Sequence, residues 1–486
     1  MILNPTLLLS RKMFGGKTLL RNIGHLMAGS MIRSTVMVIF TIYIIRIISV
    51  HDFGVYSTVI AFSSITTAFV NFGLDTYLTR EASRDRRVFL PMLKAVTKAR
   101  FLLFAFSEVL LYSLLKALNY PDEVVWLTLL LAFDPLLCFL LDSLYSIFYV
   151  ENITAPVALA ESGKRLLLLL ITFFTAHRGL IWIIISYIIA DSAVLLLLYV
   201  EYRRVVARLP KGDSVSLLGV LRKSLSFSIQ TLSGIFFWNV DIMMVSKLLG
   251  PVLTGFYNIG ATVFKTIYFI PQSFTSVLFP RISEAHSRGK LEVLKGPILE
   301  STKNLLLMAI GIVFYSLTSL PYYIPLLFGD KYRPAMGLVG PMSLIVLFYF
   351  PAFVYQNVLM AIEREKKAVN TLIVGNVANF TLNLAFIPVF GIMGAVYGTV
   401  ISQVIFLAMN VYYLRDVIPL VTPPLELAGG LLIGTAAWAL TAVATLFLEK
   451  FVSPFWADNL YFVTMYLLYR FKVINVEGFR LSASSP

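Results

Sequence analysis

The sequence predicts an all-α polytopic membrane protein with about 14 transmembrane helices. Hydrophobic residues occupy 58% of its 486 positions and charged residues only 14%, which leaves too little polar surface to cover one soluble core. Apolar segments of about 20 residues, the length that crosses a bilayer as a helix, recur through the chain. In addition, one stretch of the sequence occurs twice at a constant offset.

The repeated stretch joins two apolar segments. A basic residue ends the first segment, a Gly-x-Tyr motif follows, and a second apolar segment leads to another basic residue. We therefore expect each copy to be a helical hairpin that turns at its Gly-x-Tyr motif, and the chain to contain two similar halves in one orientation. Residues 201 positions apart correspond, namely Arg46 with Lys247, Gly54 with Gly255, Tyr56 with Tyr257, and Arg80 with Arg281.

Helices rather than a barrel are expected, because a barrel would need alternating strands that the sequence lacks. The spans are predicted at 24–48, 57–79, 101–120, 125–149, 157–177, 180–200, 226–249, 256–279, 304–328, 337–360, 368–389, 394–414, 427–448 and 455–471. Because the polar residues Asp458 and Asn459 weaken the last span, 13 spans are the alternative. Prolines inside spans should kink them, namely Pro271, Pro321, Pro325 and Pro351.

These spans divide the chain into two six-helix bundles and a tail. The apolar run near the N-terminus is too short for a cleaved signal peptide, so it is assigned to a cytoplasmic arm. The predicted order is the arm at 1–22, the first bundle at 23–200, a cytoplasmic linker at 201–224, the second bundle at 225–415, and two extra helices with a cytoplasmic tail at 416–486.

The net charge of +14 follows from topology rather than from a nucleic-acid partner. With the N-terminus in the cytoplasm, most of the 40 Lys and Arg residues fall in cytoplasmic loops, as the positive-inside rule requires. This predicts a multi-pass protein of the cell membrane whose basic loops contact anionic lipids. The outer loops hold five basic residues, Lys116, Arg178, Lys331, Arg333 and Lys450.

Four of the basic residues within predicted spans lie away from the span ends, where a charge costs about 2.5–3.5 kcal/mol and therefore needs a partner or a water-filled cavity. Arg33 lies midway along the first span and Lys265 near the centre of the eighth. The apolar run of the fifth span is too short to cross a bilayer, so its helix must extend back through Lys164 and Arg165. These four residues are candidates for binding an anionic group such as a diphosphate.

Acidic residues within the predicted spans leave two interpretations open. Acids and bases could pair between helices as packing ties, or several unpaired bases could surround a cationic cavity. The acids concerned are Glu108, Asp134, Asp142, Asp191 and Asp241.

No cofactor or metal is expected. The single cysteine, Cys138, permits neither a disulfide framework nor a cysteine-ligated metal site, and the four histidines are scattered. The stretch Gly15-Gly16-Lys17-Thr18 is similar to the end of a P-loop but lacks its first glycine and a preceding strand, which excludes a nucleotide site.

Several motifs together resemble the polysaccharide transporter branch of the multidrug/oligosaccharidyl-lipid/polysaccharide (MOP) exporter superfamily, which includes the Wzx-type flippases of lipid-linked oligosaccharides. The resemblance covers residues from about 20 to 415 and depends on the order and spacing of the motifs. They are Arg46-Ile-Ile-Ser with Phe53-Gly-Val-Tyr56, Asn71-Phe-Gly-Leu-Asp75, Asn239-Val-Asp241 with Gly255-Phe-Tyr257, and Gly391-Ile-Met-Gly-Ala-Val-Tyr-Gly-Thr399.

The resemblance implies two six-helix bundles that face each other as a V, with two further helices at the C-terminus. It also implies a central basic cavity for a lipid-linked pyrophosphate and sugar, and an ion gradient as the energy source. On this basis Arg33, Lys164, Arg165 and Lys265 are the head-group candidates. Asp241 is the candidate for coupling to protons or sodium.

The resulting hypothesis is a flippase, not an enzyme, that moves polyprenyl-diphosphate oligosaccharides by alternating access. A small-molecule or multidrug antiporter of the same superfamily is the alternative, and it should have an acidic rather than a basic cavity. From other classes, a membrane glycosyltransferase or polymerase should have a sizeable outer loop, and a non-transporting scaffold does not require charges at the bilayer centre. The sequence leaves the sugar and the lipid carrier open.

Overall fold

The computed structural model describes residues 16–151, 153–207, 213, 215–318 and 320–417, and all regular structure in these residues is helical. The prediction of an all-α membrane protein is confirmed. Sixteen α-helices are formed by the described residues: α1 Gly16–Ile47, α2 Val50–Asn71, α3 Leu74–Arg84, α4 Phe89–Ala117, α5 Asp122–Leu131, α6 Phe133–Val150, α7 Ala155–Thr175, α8 Leu180–Val206, α9 Leu217–Leu249, α10 Pro251–Ile267, α11 Phe269–Ser287, α12 Lys295–Thr318, α13 Leu320–Phe328, α14 Met336–Ala361, α15 Glu365–Phe390 and α16 Ile392–Leu414.

Eight helical stretches of the described chain are long and apolar enough to cross a membrane. They are Gly29–Ile47, Val50–Arg84, Asp122–Val150, Leu180–Val206, Leu291–Thr318, Asp330–Ala361, Glu365–Phe390 and Ile392–Leu414. The predicted spans at 427–448 and 455–471 lie outside the described residues.

Four predicted spans are each built from two helices. The second span breaks at Phe72 and Gly73, whose φ angles of 41° and 70° are left-handed and end α2. Two other breaks lie at 132 and 268, and the ninth span contains α12, which ends at Thr318, and α13, which begins at Leu320. Pro271 and Pro321 lie in the first turn of the helix that follows a break, where no backbone donor is required of them.

The predicted turn at the Gly-x-Tyr motif is wrong. Gly54 and Tyr56 lie inside α2, because the chain turns earlier, at Ser49, whose Oγ accepts a hydrogen bond of 3.0 Å from the backbone nitrogen of Asp52. In the second copy the turn lies at Gly250, whose φ of 82° suits a residue without a Cβ.

The chain forms two compact units, residues 1–255 and 256–486. In the first unit, α2 packs against α4, α5 and α9, and α7 lies between α1 and α8. One core of this unit joins α3, α4, α6 and α8 through fully buried side chains such as Leu74, Phe89 and Phe148. The boundary between the two predicted bundles, which assigned 225–249 to the second, stays a prediction.

In the second unit, α14, α15 and α16 pack together. Buried amides join α15 and α16, since Asn379 donates from Nδ2 to Ser402 Oγ at 3.3 Å and accepts from Asn383 at 3.1 Å. Arg364 precedes α15 and Asp416 follows α16. The guanidinium of Arg364 donates to both carboxylate oxygens of Asp416, at 2.8 and 2.6 Å. This hydrogen bonding lowers the pKa of Asp416 to about 2.

The two repeat glycines allow one close helix contact within the first unit. A Cβ added to Gly54 would overlap the backbone of Pro251, and one added to Gly255 would lie 2.7 Å from the carbonyl oxygen of Val50. The first turns of α2 and α10 therefore contact each other backbone to backbone. Gly54 and Gly255 are needed for space, not for an unusual backbone angle.

We predict that Gly54→Ala destabilises the protein by about 1–3 kcal/mol or more, because the backbone of Pro251 must move away from the new methyl group. Gly234→Ala is the matched control. Gly234 lies inside α9 with nothing within 4 Å of an added Cβ, so alanine should stabilise the helix by about 0.5–1 kcal/mol. Thermal unfolding of both variants in detergent measures the difference, and equal midpoints would contradict the predicted overlap.

Candidate functional site

Lys164 lies at the centre of a group of polar side chains inside the first unit. Its side chain is only 4% exposed, and its ammonium lies 3.6 Å from Oδ2 of Asp191, which is 2% exposed. The same ammonium donates to Cys138 Sγ at 3.2 Å, and the thiol donates to Asp191 at 2.8 Å. Helices α6, α7 and α8 each supply one of these three groups, so the charge of Lys164 ties three helices together.

Asp134 and Arg165 extend this group. Asp134 lies one turn before Cys138 on α6 and is an electrostatic neighbour of both Asp191 and Lys164. Arg165 follows Lys164 on α7 and interacts with Asp134 and Asp191. The buried Nε of Arg165 has no hydrogen-bond acceptor. The buried Oδ1 of Asp134 has no hydrogen-bond donor.

Arg33 of α1 contacts Glu161, which lies one turn before Lys164 on α7. Its guanidinium lies 3.4 Å from the carboxylate of Glu161, and the two side chains are 44% and 20% exposed. The pair forms because α1 and α7 pack closely one turn earlier, where an added Cβ on Gly29 would lie 3.1 Å from the Cβ of Ala158. Arg33 is therefore the most accessible basic group of this region.

We call the residues Arg33, Asp134, Asp142, Glu161, Lys164, Arg165 and Asp191 the charged cluster. Asp142 belongs to it because Glu161 and Lys164 are among its electrostatic neighbours. The cluster contains three bases and four acids. The sequence left two interpretations open, and ionic pairing between helices is the one that describes this region. Both Arg33 and Lys164 lie within 4 Å of a carboxylate.

Two buried tyrosines lie near the cluster. The hydroxyls of Tyr56 and Tyr187 are 2.8 Å apart and buried, and both residues are electrostatic neighbours of Asp134 and Arg165. Tyr56 is the tyrosine of the repeated Gly-x-Tyr motif. Its hydroxyl thus connects the repeat to the charged cluster.

A second buried ion pair supports the broken helix α2–α3. Arg100, which is wholly buried, lies 2.5 Å from Asp75 in the first turn of α3. Ser143 of α6 accepts a hydrogen bond from Arg100 and donates one to Asp75 at 3.2 Å. Arg100 precedes the predicted span at 101–120, but α4 already begins at Phe89 and carries Arg100 into the core.

The remaining two candidates lie elsewhere. Lys265 is half-buried in the last turn of α10 and belongs to the second unit. Asp241 is half-buried on α9 in the first unit. Their roles in head-group binding and ion coupling stay predictions.

The sequence did not indicate that Cys138 would join the site. Cys138, Asp134 and Asp191 bring three potential cation-ligand atoms within 4.8 Å of one another. Asp134 and Cys138 are four positions apart on one helix face, a spacing that could have suggested their proximity. The ammonium of Lys164 is the cation that the chain itself supplies to this group.

Comparison with known proteins gives two family matches. Residues 19–286, more than half of the chain, match the model described as polysaccharide biosynthesis protein. Residues 225–389 match the MatE model. A curated relative, described as the probable low-salt glycan biosynthesis flippase Agl15 of Haloferax volcanii, is 22% identical over 195 residues, which cover 39% of this chain and 40% of the relative.

Solved structures share the fold at low identity. The lipid II flippase MurJ in an inward closed conformation has a TM-score of 0.70 and 14% identity, covering 92% of this chain and 100% of that one. A multidrug resistance MATE family transporter of the MOP superfamily, inward-facing, has a TM-score of 0.63 and 14% identity, covering 81% and 97%. The overall fold is thus one that flippases and drug transporters share.

The charged cluster predicts strongly non-additive mutations. Asp191→Asn or Lys164→Met alone leaves one buried charge without its partner and should cost about 3–5 kcal/mol of stability. The double variant removes both charges and should recover most of that loss. A double-mutant cycle measured by denaturant unfolding in detergent tests the coupling, and additive losses would show that the two charges do not interact.

Proposed function

Because the chain belongs to the polysaccharide biosynthesis protein family, we propose that it is a flippase for a lipid-linked glycan whose carrier ends in a diphosphate. Membership makes the chain a multi-pass membrane transporter of the MOP superfamily. The similarity to a probable glycan biosynthesis flippase and to a lipid II flippase supports a lipid-linked glycan as the substrate class. Transport of this kind requires no covalent chemistry.

The observation that carries this proposal is the position of Arg33. Its guanidinium is 44% exposed, and its partner Glu161 lies one turn before buried Lys164 and half-buried Arg165 on the adjacent helix. Guanidinium groups bind phosphate oxygens through two parallel hydrogen bonds, and nearby cations strengthen the attraction. Arg33 would contact the diphosphate first, with Lys164 and Arg165 behind it.

Binding would require an exchange of partners. Lys164 and Arg33 each face a carboxylate, so a diphosphate would replace Asp191 or Glu161 as the neighbour of a base. The phosphates would then exchange their water for charged groups of the protein, while the freed carboxylates become available to a cation. Such linkage between substrate anion and cation is what an ion-driven cycle of alternating access needs.

The remaining predicted features belong to this proposal. Lys265 would be a further basic group for head-group binding, and Asp241 would bind the coupling proton or sodium ion. The protein would lie in the cell membrane with its N-terminus in the cytoplasm and its basic loops against anionic lipids. Neither a cofactor nor nucleic acid takes part.

A second candidate function is an antiporter for small cations or drugs. The excess of acids in the charged cluster favours it, because four carboxylates face three bases. The fold shared with a multidrug MATE transporter is consistent with it. Transport assays separate the two candidates, since one substrate is an anionic lipid and the other a soluble cation.

The test is transbilayer movement of a fluorescent polyprenyl-diphosphate oligosaccharide in vesicles that contain the full chain. We predict that wild type moves this probe and that Arg33→Ala slows it at least tenfold, which corresponds to about 1.4 kcal/mol or more. Lys265→Ala should also slow it. Arg178→Ala is the control, because Arg178 is an exposed base that stacks on Trp182 away from the cluster.

Equal amounts of folded protein must be compared, as judged by size exclusion and thermal unfolding. If wild type leaves the lipid probe unmoved but exchanges a cationic dye for protons or sodium, the flippase proposal fails and the antiporter replaces it. If Arg178→Ala slows movement as much as Arg33→Ala, charge in general rather than the Arg33 position is responsible.

A further inference from the structure

Glu108 differs from the other acids within the first unit's predicted spans. It lies on α4, nine positions before the helix ends at Ala117, which places it about 14 Å from that end. The side chain is half-buried, and its buried oxygen, Oε1, has no hydrogen-bond donor. A glutamate side chain is too short to reach an interface from this depth.

The surroundings of Glu108 are apolar. It shares a helix face with Phe104, Leu111 and Leu115, which precede or follow it by three, four or seven positions. Leu111 and Leu115 are fully buried against Phe62 and further apolar side chains of α2, α5 and α9. The carboxyl group therefore projects from the face of α4 that builds an apolar core.

No basic side chain compensates Glu108 among the residues that the structure describes. The helices packed against α4 are α2, α3, α5, α6 and α9, and none of their described charged side chains forms an ion pair with it. Several charges on these helices have other neighbours: Asp75 faces Arg100, Arg84 faces Glu81, Asp122 faces Lys116, Asp134 and Asp142 belong to the charged cluster, and Lys247 lies over the ring of Tyr120.

An isolated carboxylate within a membrane is costly, whereas its protonated form is not. Burial of Oε1 shields the group, and the exposed part of the side chain leaves a path for proton exchange. Acids in the charged cluster can exchange one basic partner for another without binding a proton, because three bases lie among them. Glu108 has no basic partner among the described residues, so a proton is what would neutralise its charge.

We propose that Glu108 is a proton-binding site, loaded in the conformation seen here and emptied when transport opens this side of α4 to water. The link to transport rests on the proposed function, but the binding of the proton does not. The ligand is a proton rather than a metal ion, because a single carboxylate on an apolar face offers too few oxygen ligands for a cation.

Dicyclohexylcarbodiimide tests proton binding directly, since this apolar reagent adds to protonated carboxyl groups inside membranes. The full chain in vesicles should carry a mass adduct at Glu108 after treatment, and labelling should weaken as the pH is raised. Glu108→Gln should lose this adduct. Glu123→Gln should keep it, because Glu123 is an exposed acid at the start of α5.

Transport provides the second readout. With the fluorescent polyprenyl-diphosphate oligosaccharide as the probe, Glu108→Gln should weaken the acceleration that a transmembrane pH gradient produces in wild type, and Glu108→Asp should weaken it less. Both variants must show wild-type thermal unfolding, so that a folding defect is not mistaken for uncoupling.

Each outcome decides one question. An unlabelled Glu108 at acidic pH overturns the proton site. A labelled Glu108 in a chain that does not move the lipid probe leaves the site intact and overturns the flippase proposal instead. A Glu108→Gln variant with the full wild-type response to the pH gradient overturns the role of the proton in transport.

Discussion

The need to keep buried charges compensated governs the polar layout of the first unit. Lys164 and Asp191 are nearly inaccessible to solvent and lie on different helices. Removing either group leaves the other as an unpaired buried charge, which destabilises the protein. The same requirement holds Arg100 against Asp75 at the start of α3. Apolar contacts between helices can be replaced by contacts with lipid at little cost in free energy. A few buried ion pairs therefore hold each helix to a particular neighbour.

The internal repeat has its own structural consequence. Gly54 and Gly255 correspond in the two copies, and each faces the first turn of the helix that carries the other. A contact between equivalent positions makes the same demand on both residues, namely that neither has a side chain. The repeat therefore persists where two backbones meet, whereas equivalent surface positions such as His51 and Val252 are free to differ.

Much of the architecture could be predicted from the sequence because hydrophobic length and the distribution of basic residues are local properties. Helix breaks are harder to predict from the sequence, because the left-handed residues Phe72 and Gly73 interrupt a predicted span with no strong local signal. The presence of Arg33, Lys164 and Arg165 near one another could be anticipated, but their pairing could not. Whether a base meets Asp191 or Glu161 depends on how α1, α6, α7 and α8 rotate, which no single segment encodes.

Under the proposed function, the balance of acids and bases in the charged cluster would let one region bind both an anionic substrate and a cation. A cavity with only bases would bind a diphosphate tightly and release it slowly, because nothing inside the protein would compete with the phosphates. In the proposed mechanism, carboxylates such as Glu161 and Asp191 would compete with the phosphates and recover the bases when the substrate leaves. Transport by alternating access requires this kind of reversible exchange, in which substrate affinity is set by the difference between two ionic partners.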